Sequence, residues 1–244
     1  MPLRTAIKIL VVAATVLLAL DLMPSGTRAE SVGATTPQGR RAFVTSVITP
    51  VGQDRFSVVP IGASAATITA PMTNVDSNLR EVLWDETSPD VVDGGACATW
   101  QSASTPLLQQ GIALRASSSP RGTRAILVTK NVFLGAPWVF NINVWDTGTT
   151  GLSVLENVDL HQVFKPVADM TPLPWRMCAR VRGDTVEFKV WPVDRPEPMW
   201  GDPQFGGSGQ LPPGWLVPGK SGWYIGHLPA GAFATYRDMA TFLL

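Results

Sequence analysis

Histidine, cysteine and tyrosine are nearly missing from this 244-residue chain, with two of each. His161 and His227 belong to no HExxH pattern and to no Cys/His ligand spacing, which argues against a zinc site. A basic excess is missing too: 19 Lys and Arg face 19 Asp and Glu. Nucleic acid and anionic membrane surfaces reward a basic patch, so neither is expected as a partner. No phosphate loop and no dinucleotide fingerprint occurs. The stretch "GGSGQ" at 206–210 lacks the last glycine of a G-x-S-x-G nucleophile elbow. Sustained helical periodicity is absent. After residue 20 no apolar run is long enough to span a bilayer.

The N-terminus carries the clearest targeting pattern. Arg4 and Lys8 precede an apolar run from Ile9 to Leu20, and small residues follow near Thr27 and Ala29. That order is the one found in secretory signal peptides. The run is short for a span and Asp21 interrupts its end, so no stable transmembrane anchor is expected. Cleavage after residue 29 would remove Arg4, Lys8, Arg28 and Asp21, leaving 16 basic and 18 acidic side chains. The expected location is secreted or cell envelope. In an oxidising compartment Cys97 and Cys178 are expected to pair as a disulfide.

Residues 30–41, "ESVGATTPQGRR", are polar and read as a flexible lead-in to one domain over 42–244. Within that domain, short runs rich in β-branched and aromatic residues alternate with Pro and Gly clusters. Examples are "AFVTSVI", "RFSVV", "ATITA", "GIALRA", "RAILVTKNVF", "WVFNINVW", "CARVR" and "TVEFKVW". Many short strands between turns predict an all-β sandwich or barrel. "SVLENVDLHQVF" at 153–164 reads equally as a strand pair or a short helix. The stretch 192–222 reads as a long irregular segment.

One hairpin can be read residue by residue. Gly183-Asp184 suits a two-residue type II′ turn, which also explains "RGD" at 182–184 as a hairpin tip. The register then opposes Val181 to Val186, Ala179 to Phe188 and Met177 to Val190 on an apolar face. Arg180 opposes Glu187, Cys178 opposes Lys189, and Arg176 opposes Trp191 on the other. Trp191 therefore points away from the apolar face, where it meets either a ligand or the following loop. The ligand-facing expectation joins Trp191 to Arg176 opposite it and to Trp200 from the loop "PVDRPEPMWGDP". Flat aromatic faces stack on sugar rings, and Trp145 is a further candidate. Trp84, Trp100, Trp138 and Trp223 read as core or rim.

"WRMCARVRGDTVEFKVWPVDRPEPMW" followed by "GWYIGHLPAGAFATYRDMATFLL" resembles the closing half of concanavalin A-like lectin/glucanase (LamG-like) jelly rolls. The matching residues are Arg180, Gly183, Asp184, Lys189, Trp191, Glu197, Pro198 and Trp200, then Gly222, Gly226, Phe233, Tyr236 and Asp238. The resemblance covers roughly residues 75–244 and, weakly, 42–75. It implies a jelly-roll β-sandwich of two antiparallel sheets. It also implies a glycan or polysaccharide partner, and calcium near the closing strand, with Asp238 a candidate ligand. No other cofactor is expected.

The glucanase branch of that family carries its two carboxylates on an E-x-D-x-x-E strand, and a retaining pair stands about 5 Å apart. "EVLWDE" at 81–86 departs from the motif, because Asp85 sits out of place. The leading expectation is therefore non-catalytic, lectin-like carbohydrate binding. A glycoside hydrolase or lyase would need a non-standard acid pair drawn from Glu81, Asp85, Glu86, Asp146 and Glu187. A structural or adhesion domain is the third reading. A groove of aromatics and amides favours the first, a groove with two carboxylates the second, and a flat, filled face the third.

Overall fold

A computed structural model describes residues 41–105, 109–131, 138–164 and 173–244. The expected leader 1–29, and all but the last residue of the lead-in 30–41, lie outside the described residues. Fourteen strands among the described residues, numbered in chain order, form two antiparallel sheets of seven. The first sheet runs, side by side, β1 (Phe43–Thr49), β4 (Arg80–Asp85), β13 (Lys220–Gly226), β6 (Gln109–Ser119), β7 (Gly122–Lys130), β8 (Val139–Asp146) and β9 (Gly151–Asp159). The second runs β12 (Gly206–Gln210), β11 (Thr185–Pro192), β10 (Trp175–Arg182), β5 (Gly94–Ala103), β14 (Phe233–Leu243), β3 (Ala65–Thr69) and β2 (Ser57–Ile61). Sequence neighbours repeatedly switch sheets, and the result is a jelly-roll sandwich. One short helix, α1 (His161–Phe164), follows β9, so 153–164 is neither a strand pair nor a helix throughout but the end of one strand and a single helical turn.

The core forms because alternate residues of facing strands are apolar. Ile112 and Leu114 of β6, Ile126 and Val128 of β7, and Phe140, Ile142 and Val144 of β8 point inward from the first sheet. They meet Met177, Ala179, Val181, Val186, Phe188 and Val190 from the hairpin of the second. Aromatics fill the middle: Trp100 and Trp175 lie 4.0 Å apart, and Trp138 stacks on Phe164 at 4.4 Å. Trp84, Trp100, Trp138 and Trp223 are all buried. The β10–β11 register matches the sequence reading at every pair, from Arg182↔Thr185 to Arg176↔Trp191. Gly183 supplies the positive φ, 56°, that the first turn position requires. Cys97 and Cys178, paired across β5 and β10, form the disulfide.

Two elements correct the sequence reading. The stretch 192–222 is not irregular throughout: residues 206–210 form edge strand β12 against β11, and β13 begins at Lys220. "GGSGQ" shows no alternation, so only backbone pairing identifies it as a strand. Strand β5, absent from the sequence reading, is rich in Gly, Ala, Ser and Thr and sits between β10 and β14. One end of the sandwich is tied by buried Arg115, at the bulge of β6. It donates to the carbonyls of Val92 at 2.6 Å, Trp215 at 2.7 Å and Gly183 at 2.6 Å. No helix among the described residues is long and apolar enough to cross a membrane.

Candidate functional site

The first sheet curls toward its outer face. Strand β1 is four places from β7, yet the Ser46 and Thr123 hydroxyls meet at 2.6 Å, and Thr123 donates to the Val47 carbonyl at 2.6 Å. Similarly β4 is four places from β8, a span of about 19 Å in a flat sheet. Nevertheless the Arg80 guanidinium lies 5.7 Å from the centre of the Trp145 ring. Part of the concave face is filled by Ile48, Val82, Trp84, Ala113, Ala125 and Leu127. Beside it a cleft of about 220 Å³ stays open.

The cleft is lined by amides, hydroxyls and one indole. Its walls include Gln109, Thr129, Asn141, Asn143, Asn157, Tyr224, Arg80, His227 and Trp145, with Leu152 and Val154 from edge strand β9. Period-two alternation explains the set. Asn141, Asn143 and Trp145 are the outward residues between inward Phe140, Ile142 and Val144. Asn141 hydrogen-bonds Asn157 of the neighbouring strand. Asn143 donates to Thr129 at 3.2 Å, and its carbonyl oxygen has no partner among the described residues. Gly226 makes room on the floor, because a Cβ there would lie 2.6 Å from the Tyr224 hydroxyl and 3.0 Å from Cγ of Arg80.

Arg80 is held by neutral groups. It donates to Thr49 Oγ1 at 3.2 Å, to the Asn78 carbonyl at 3.1 Å and to the His227 ring at 2.5 Å. A guanidinium only donates, so His227 Nε2 accepts and the ring is neutral. Burial, helped by the Arg80 charge, brings the His227 pKa down to about 4. Burial raises the Tyr224 pKa well above its usual value, so its hydroxyl stays protonated and donates to Gln109 Oε1 at 2.5 Å. Among the described residues no Asp or Glu lines the cleft.

The residues singled out from sequence are not brought together. Only Trp145 lines the cleft. Arg176, Trp191 and Trp200 belong to the outer side of the second sheet. There Trp191 is 4% exposed and packs with the disulfide, with Trp200, Phe205 and Phe242 alongside. The following loop folds back over it, because buried Lys189 donates to the Pro198 carbonyl at 2.8 Å and pairs with Glu197 at 2.6 Å. Trp200 lies under Arg180, 4.3 Å from the ring centre. Arg176, opposite Trp191 in register, turns instead to Thr99 at 3.1 Å and to the Asp238 carbonyl at 3.3 Å. The Asp238 carboxylate accepts from Thr99 at 2.9 Å. Among the described residues no group of three His, Cys, Asp or Glu side chains could hold a metal ion.

The five candidate acids are dispersed. Glu81 points into the sandwich and accepts the Phe56 N–H at 2.9 Å; burial raises its pKa to about 7. Asp85 is four residues along the same strand, about 13 Å away by strand geometry, and pairs with Arg41 at 2.6 Å. Glu86 follows beyond the end of β4. Asp146 pairs with Arg124 at 3.6 Å and caps the next turn through the Gly148 N–H. Glu187 pairs with Arg180 at 2.6 Å on the second sheet.

Sequence reasoning missed Arg80, Gln109, Thr129, Asn141, Asn143, Asn157, Tyr224 and His227. A signal was present for two of them: in "WVFNINVW" the polar residues and Trp145 share one face of the strand. Arg80 and His227 reach the cleft only because the sheet curls.

No family model and no curated protein matches the sequence. Among solved structures, the fold is similar to the carbohydrate binding module CBM66 from Bacillus subtilis. Identity is 8%, the match covers 81% of this chain and 94% of that one, and the TM-score is 0.50. It is also similar to the VIP36 exoplasmic/lumenal domain in its Ca2+/Man3GlcNAc-bound form. There the identity is 13%, the coverage 82% and 88%, and the TM-score 0.50. At these identities the likeness is one of fold.

Proposed function

We propose that this protein is an exported, lectin-like binder of carbohydrate, which holds its ligand in the cleft of the first sheet and does not cleave it. The observation that carries the reading is the make-up of that cleft: an indole beside amide and hydroxyl side chains, with no carboxylate in the wall. A sugar ring presents an apolar face, suited to Trp145, Leu152 and Val154, and a rim of hydroxyls, suited to Asn141, Asn143, Asn157, Gln109 and Thr129. The Asn143 carbonyl oxygen is buried in the cleft wall and has no partner among the described residues, which leaves one unfilled acceptor there. Of the solved structures of similar fold, one is named a carbohydrate binding module and another was solved in a Ca2+/Man3GlcNAc-bound form. Glycoside hydrolysis would need a carboxylate pair at the ligand, and none of the five candidate acids lines the cleft. Export rests on the leader-like N-terminus and agrees with the disulfide.

A glycan array probed with the purified protein tests this reading, with a reducing-sugar assay on every hit. Binding that is lost in Trp145→Ala and in Asn143→Ala, with no sugar released, is the expected result. Release of reducing ends, or binding indifferent to both substitutions, would overturn it.

A further inference from the structure

We infer that the ligand is an anionic carbohydrate, one whose sugars carry a carboxylate or a sulfate, and that Arg80 is the residue that selects it. The inference rests on the carbohydrate-binding reading of the cleft and goes beyond it to the ligand class.

Among the described residues that line the cleft, Arg80 is the one Lys or Arg, and none is Asp or Glu. Elsewhere in the described residues, five arginines are matched to acids. Arg41 pairs with Asp85, Arg124 with Asp146, Arg180 with Glu187, and Arg176 with Asp238. Even buried Arg115 has Asp93 at 3.5 Å. Arg80 instead has Thr49, Asn78 and His227 as hydrogen-bond partners and the Trp145 ring across the cleft. The histidine is neutral and so adds no second positive charge, and Tyr224 keeps its proton and so supplies no anion.

The fold holds this unmatched cation in place. Thr49 and Asn78 fix one terminal nitrogen and His227 the other, while Gly226 leaves the space in which the stem lies. A side chain so oriented has already lost rotamer freedom, so an anion that meets it regains more of the contact energy. A neutral sugar laid over Trp145 would strip water from the guanidinium and return hydroxyl contacts alone. A planar carboxylate or a sulfate would return a charge-assisted contact, roughly twice as strong as a neutral one.

The test compares acidic polymers with their neutral counterparts by affinity electrophoresis and isothermal titration calorimetry. One pair is polygalacturonate and the same polymer with its carboxylates reduced to alcohols. The other is dextran sulfate and dextran. The inference expects an acidic member to bind and its neutral partner to bind at least tenfold more weakly. Arg80→Gln should lose tenfold or more at unchanged melting temperature, Arg80→Lys should recover part of that loss, and Trp145→Ala should lose binding as well. The carboxylate pair and the sulfate pair tell the two anions apart. Equal binding of a charged polymer and its neutral partner, or wild-type affinity in Arg80→Gln, overturns the inference. If Trp145→Ala still loses binding in that case, the carbohydrate reading stands. Binding unaffected by Trp145→Ala, or no binding to these polymers or to a glycan array, removes both.

Discussion

On the outer side of the first sheet, Trp145 stands across an open cleft from Arg80. On the outer side of the second, Trp200 lies under Arg180, and Trp191 sits with Lys189 at 5.5 Å. The ingredients are alike, a tryptophan beside a cation on the solvent side of a strand. What differs is cover and counter-charge. The loop after β11 returns over the second sheet, places the Pro198 carbonyl and Glu197 on Lys189, and buries Trp191 against the disulfide. Among the described residues nothing lies over Trp145 in the same way, and none pairs an acid with Arg80. A tryptophan–cation pair is thus a packing device when chain covers it and its charge is matched. It is available to a ligand when neither holds.

The sharpest test of this contrast replaces the two rings in turn. Trp191→Ala should cost about 3–5 kcal/mol of stability, the usual range for a buried aromatic, and leave glycan affinity intact. Trp145→Ala should cost only about 1 kcal/mol, because the ring is partly exposed, and abolish binding. Chemical denaturation and calorimetric titration of both variants separate the outcomes. Similar stability losses, or a binding defect in Trp191→Ala, would erase the distinction between the faces.

The disulfide belongs to the covered face alone. Replacing Cys97 and Cys178 by alanine should cost about 2–5 kcal/mol, since the bond closes a loop of 81 residues. The cleft should still bind once the variant is folded. A variant that is stable yet cannot bind would show that the two sheets are coupled.

Glu81 lies between the faces and touches neither. Its pKa is raised to about 7 by burial, with the Phe56 N–H and the Arg55 charge offsetting part of the effect. The folded state therefore holds this proton more tightly than the unfolded chain. Its stabilising contribution is complete below pH 4.5 and fades as the pH rises through 7, a loss of roughly 3 kcal/mol. His227 works in the opposite direction: its pKa is lowered to about 4, so stability falls as the pH drops below 6.5. The difference between Glu81→Gln and wild type isolates the first. The variant should gain relative stability from pH 5 to pH 8, measured by thermal unfolding across that range. A flat difference would mean that Glu81 is not desolvated.

The smallest effect is expected at Glu187, whose pairing with Arg180 is partly exposed. Glu187→Ala should cost under about 1 kcal/mol and leave binding unchanged. A large loss would mean that Arg180 needs its acid to stay over Trp200.

Local chemistry in the sequence determined several parts of this molecule. The turn at Gly183-Asp184 set the β10–β11 register, and alternation alone placed Val181, Val186, Phe188 and Val190 in the core. Those features were legible because a strand's period and a two-residue turn depend on neighbours in the chain. The same alternation marked Asn141, Asn143 and Trp145 as one outward face, without indicating whether that face was open. Strands β5 and β12 were illegible because small residues carry no apolar period, and pairing with other strands defines them. Only the tertiary structure decided which tryptophan met solvent. Cover over Trp191 came from a loop that folds back across its own strand. The open cleft at Trp145 came from curvature that brings Arg80 across four strands. Both are distances between residues far apart in the chain, and no pattern of neighbours along a strand encodes them.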